Sequence, residues 1–112
     1  GTCDGFVRDG LFLSDADPDL VDRVTGGMCD APPEVALALW KQFLDWDLAG
    51  AMSAVEMPLR CINGTIATTE VEVNRRYSPD YEALIMDGVG HFPMLEKPDA
   101  FTVKLGEVLA RF

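Results

Sequence analysis

The sequence predicts an α/β protein: N-terminal helices over residues 1–54, then a two-stranded parallel βαβ unit and a C-terminal helix over residues 55–112. Three observations carry this reading. Residues 1–54 contain helix starts and apolar positions at helical spacing, with no strand-like alternation. Two short apolar runs, residues 59–63 and 81–87, are separated by enough chain for a helical crossover, which makes them parallel neighbours. After Pro98, the residues Phe101, Leu105, Val108, Leu109 and Phe112 recur on one helical face, the stripe of a helix that covers a sheet.

Asp17 before Pro18 is a helix start, with an acceptor side chain at the cap and proline at the first helical position. Leu20, Val21, Val24 and Met28 share a face of this helix, and Gly26-Gly27 weakens its far end. A second helix runs from Pro33-Glu34 to about Trp46. Its polar residues Glu34, Lys41, Gln42 and Asp45 keep to one side, while Val35, Leu37, Leu39, Trp40, Phe43, Leu44 and Trp46 cover most of the rest. So broad an apolar surface calls for cover on more than one side, and aromatic residues at helical spacing are most often core. A short helix follows over residues 47–55.

The first strand, Leu59-Arg60-Cys61-Ile62-Asn63, closes at Gly64. Residues 69–77 predict the crossover helix, and Ser78-Pro79-Asp80 breaks it. The second strand, residues 81–87, leads into Gly88-Val89-Gly90-His91-Phe92-Pro93. Two parallel strands do not make a self-sufficient sheet, because both faces need cover and both edges stay open. Completion by self-association, or by a larger fold, is therefore expected.

Composition bounds the function. At 112 residues, with 48% hydrophobic and 25% charged residues, the chain fits one ordered domain. A net charge of −10 argues against the basic surface that nucleic acid or an anionic membrane would need. No apolar run approaches a membrane span, and no basic-then-apolar leader opens the sequence. Cys3, Cys29 and Cys61 are odd in number and lack CxxC spacing. They read as free thiols in a reducing, cytoplasmic setting, with no metal and no cofactor expected. In that setting Asn63-Gly64-Thr65 carries no weight as a glycosylation acceptor.

His91 is the single histidine. A strand ending in a glycine-bracketed turn, followed by a proline-started helix, presents an imidazole at a sheet edge, and imidazole carries protons near neutral pH. The run from Met57-Pro58-Leu59 through Gly88-Val89-Gly90-His91-Phe92-Pro93 and Met94-Leu95-Glu96-Lys97-Pro98 resembles the C-terminal end of the α/β-hydrolase fold. Residues 6–54 look like the end of the helical lid that many members insert before these strands. The resemblance implies that His91 is the catalytic base of a nucleophile–histidine–acid triad. It implies a small apolar ester-like substrate, with Trp40 and Phe43 of the lid and Phe92 beside the base as substrate-binding residues.

The family's nucleophile sits in a G-x-S-x-G elbow. Ser14, Ser53 and Ser78 do not occupy one, so nucleophile and oxyanion hole are expected upstream of Gly1. The acid often follows the first of these strands, where this sequence reads Thr65-Ile66-Ala67-Thr68-Thr69; Glu70 and Asp87 are the fallback candidates. Three readings stay open: the C-terminal part of a hydrolase, a non-catalytic dimer using exposed strand edges or swapped helices, and a helical binding module for an apolar ligand.

Overall fold

The computed structural model describes residues 2–111. The element order is α1 (Thr2–Gly10), α2 (Pro18–Cys29), α3 (Pro33–Asp45), α4 (Leu48–Ser53), β1 (Arg60–Asn63), α5 (Val71–Arg75), β2 (Glu82–Ile85), α6 (Pro93–Glu96) and α7 (Pro98–Leu109). The strands are parallel, in register from Arg60 opposite Glu82 to Asn63 opposite Ile85, and α5 lies in the crossover. The mixed α/β character and the βαβ unit are as the sequence predicts.

Local chemistry explains the boundaries. The Asp17 carboxylate accepts from the Asp19 N–H and caps α2, with Pro18 in the first turn. Asp47 caps α4 in the same way, through the Gly50 N–H at 2.9 Å. The pair Gly26-Gly27 does not end α2, which runs on to Cys29. Both strands are shorter than the apolar runs suggest. The ladder has four residues on β1, so β2 stops at Ile85, although the Met86 N–H still donates to the Asn63 carbonyl at 2.7 Å.

Arg60 sits at the foot of β1, where it pairs with Asp80 at 3.3 Å and Glu82 at 3.4 Å. One residue on, Cys61 Sγ lies 2.7 Å from the Tyr81 hydroxyl. Burial of Tyr81, followed by that hydrogen bond, pushes its pKa up to about 12.

The buried cluster is Val7, Phe12 and Leu20, with Leu11, Ala16, Val21, Val24, Cys29 and Phe92 packed against it. It joins α1, α2 and the turn after β2. Arg8 ties the two helices through Asp4 at 2.8 Å and Asp22 at 2.6 Å. A disulfide between Cys3 and Cys29 also joins them, with Cα atoms 5.9 Å apart. This corrects the expectation of free thiols for two of the three cysteines. The first turn of α1 meets the last turn of α2, a tertiary proximity that spacing along the chain does not reveal. Cys61 is free and half-buried in β1.

Beyond this cluster Tyr81, Met86, Val89 and Val108 are buried, and much of the remaining apolar surface is open. No residue of α3 is buried, and Trp40, Phe43 and Leu44 are 49%, 58% and 73% exposed. The expectation that this stripe is core is therefore corrected: among the described residues Phe6 of α1 reaches Trp40, and the stripe is still left exposed. Both strands are only half-buried. On α7, Val108 is buried while Val103, Leu105 and Leu109 are exposed, and Phe112 lies outside the described residues. The accessible surface is 7819 Å², against about 6,100 Å² expected for a closed monomer of this mass. The radius of gyration is 15.9 Å, against about 13 Å for a compact chain of this length.

Candidate functional site

The carboxyl ends of β1 and β2 open toward the same side, because the strands are parallel. In open α/β sheets this is where ligands bind. The segment after β2 turns at Gly88, whose φ of +69° suits a residue without a Cβ. It then passes across the segment after β1, where the Thr65 N–H donates to the Val89 carbonyl at 2.9 Å.

Close approach demands glycine at Gly90. A Cβ there would stand 2.5 Å from the Leu11 carbonyl oxygen and 3.1 Å from Phe12 Cα. The expectation that the glycines flanking Val89 serve backbone geometry is met at both positions.

His91 is held by its backbone. Its N–H donates to the Leu11 carbonyl at 2.8 Å. Glu96, in the first turn of α6, accepts the Gly90 N–H at 3.0 Å on each oxygen and the Phe92 N–H at 3.2 Å. Pro93, buried, starts α6 immediately after. The imidazole itself is exposed. It packs edge-on to Phe92, ring centroids 5.0 Å apart and planes at 89°, and no described side chain hydrogen-bonds it.

A cavity of about 300 Å³ adjoins His91, lined by Ile62, Asn63, Ile66, Thr69, Pro93 and Met94 among others. Asn63 Nδ2 donates to Thr69 Oγ1 at 2.8 Å and so ties the end of β1 to the far end of its loop. The lining is a mixture of aliphatic groups and short polar ones, suited to a small group with one polar end.

The remaining predicted residues fall elsewhere. Phe92 turns away from the cavity into the core, 5.5 Å from Phe12 by ring centroid. Trp40 and Phe43 stack edge-on on α3, 5.6 Å apart, and Trp40 meets Phe6 at 6.2 Å; neither lines the His91 cavity. Glu70 and Asp87 are exposed, and no hydrogen bond joins either to His91. Ser53 donates to the Ala49 carbonyl, Ser78 is buried, and neither lines the cavity, nor does Ser14.

Sequence reasoning missed Glu96. Its signal was an acid in the first turn of a proline-started helix, where a carboxylate can reach back to the amide of the cap residue as in a capping box. Comparison with family models, with curated proteins and with solved structures finds no match.

Proposed function

We propose that this chain is the C-terminal part of an α/β-hydrolase-type catalytic unit and contributes its general base, His91. The observation that carries the reading is an exposed, unbonded imidazole on a pinned backbone, beside a cavity at the carboxyl ends of two parallel strands. Such an imidazole takes the proton of a hydroxyl nucleophile as it attacks and returns it to the leaving group. Nucleophile, oxyanion donors, acid and the remaining strands come from polypeptide beyond residues 1–112. The substrate is a small apolar ester-like molecule, whose acyl or alcohol group fits the cavity of about 300 Å³.

The test is to express the chain with the sequence that precedes it in its gene. That sequence should encode a G-x-S-x-G elbow, and the longer protein should hydrolyse a p-nitrophenyl ester. His91→Ala should lower kcat by about 10³-fold or more. Undiminished hydrolysis in that variant would refute the assignment.

A second reading is favoured by one observation. The surface exceeds that of a closed monomer by about 1,700 Å², on the scale an obligate interface covers. A second copy, paired through α3 or through the open strand edges, would cover it and make a non-catalytic dimer. Cytoplasmic placement requires the Cys3–Cys29 pair to be reduced, whereas the disulfide favours an oxidising compartment. Trapping thiols by alkylation at lysis separates the two.

A further inference from the structure

We infer that Glu96 is the positioning residue of the His91 turn, acting through the backbone amides on either side of the base. This rests on the reading of His91 as a general base. Three consecutive N–H groups, those of Gly90, His91 and Phe92, lie beyond the end of β2 and have no strand to pair with. All three are nevertheless bonded. The outer two donate to the Glu96 carboxylate, and the middle one donates to the Leu11 carbonyl.

A carboxylate suits this task because it only accepts, and its two oxygens can serve divergent donors at once. Glutamine would bring one acceptor and an NH2 group, and the NH2 would face an amide N–H. The glycine is part of the same arrangement, since Glu96 Oε2 lies 3.2 Å from where a Gly90 Cβ would stand. The Cα of His91 is thus fixed from both neighbours, leaving the imidazole only its own side-chain torsions. The nearby carboxylate is engaged by the main chain, so Glu96 is a different device from the triad acid, which would bond the ring.

The experiment uses isotope-labelled 112-residue chain, wild type against Glu96→Ala and Glu96→Gln, followed by amide hydrogen exchange and by the Cε1–H resonance of the single histidine. In Glu96→Ala, exchange at Gly90 and Phe92 should quicken by about tenfold or more, with an intermediate effect in Glu96→Gln. The amides of Cys61 and Leu84, which face each other's strand in the ladder, should keep their wild-type rates. The ring-current displacement that Phe92 imposes on the His91 signal should shrink in the same order. A fold-wide role alone would not move that signal while leaving the ladder intact.

Wild-type exchange at Gly90 and Phe92 in the alanine variant would overturn the inference. So would loss of ladder protection in both variants, which would make Glu96 a support of the whole fold and not of the turn. If only the alanine variant unfolds, the glutamine variant decides by the same criteria. Every readout is taken on the chain itself, so failure here is separate from failure to find hydrolysis.

Discussion

Breaking the Cys3–Cys29 bond tests how the helical half supports the histidine turn. The two cysteines are separated by 26 residues. Cross-linking a loop of that size removes roughly 3.5 kcal/mol of chain entropy from the unfolded state. Domains of this length are stable by roughly 6–17 kcal/mol, so the loss is a large share of the whole. With a urea slope of about 1.5–2 kcal/mol/M, the midpoint should fall by roughly 2 M. The assay is urea unfolding of wild type and of the Cys3→Ser/Cys29→Ser double variant, with thiols counted in denaturant without reductant. One thiol, that of Cys61, is expected in the wild type. Leu11 follows α1 directly and accepts the His91 N–H, so exchange at His91 should also quicken in the double variant. Three thiols in the wild type would refute the pairing. An unchanged midpoint would refute the claim that it stabilises this fold.

Gly90→Ala should cost about 2–4 kcal/mol, because its Cβ would displace the Leu11 carbonyl and with it the bonds to His91 and Glu96; thermal unfolding measures it. Tyr81 should ionise about two units later than an ordinary tyrosine, near pH 12, in an absorbance titration at 295 nm, and Tyr81→Phe should remove that late step. The raised pKa means that the neutral phenol is the form the fold favours. Its stabilisation is complete below about pH 10 and is lost as pH rises toward 12, on the order of 2–3 kcal/mol in all. If two copies pair through α3, sedimentation should give a dimer at micromolar concentration and a monomer for Leu39→Glu/Phe43→Glu. Both positions are exposed in the single chain, so the charges should change its own stability by only about 0.5 kcal/mol each. A monomeric wild type would sink that pairing.

What was legible in the sequence followed from local rules. Asp17-Pro18 and Pro33 start helices because capping and fixed φ act within one turn. The βαβ unit followed from two apolar runs and the length between them. His91 stood out because glycine, histidine and proline in that order constrain the backbone nearly alone. The rest depends on contacts between residues far apart in sequence. The disulfide needs α1 against α2, and the Leu11 carbonyl reaches His91 across 80 residues of chain. The stripe on α3 shows the opposite limit. Apolar periodicity says that a face wants cover, and it does not say whether this chain supplies that cover.

Burial is distributed unevenly, and the unevenness bears on what the chain is for. Its buried cluster adjoins the His91 turn, with Phe92 packed against Val7, Phe12 and Leu20, and Glu96 and the Leu11 carbonyl hold the turn's amides. The sheet, by contrast, is half-buried, and α3 buries none of its residues. A self-contained binding module would bury its sheet first, since the open edges and apolar faces are the costliest exposures. Here the order is reversed: the turn that presents His91 is finished, and the surfaces left open are the sheet and the broad apolar helix. That pattern agrees with the proposal that this chain brings a preformed His91 turn to a sheet completed elsewhere.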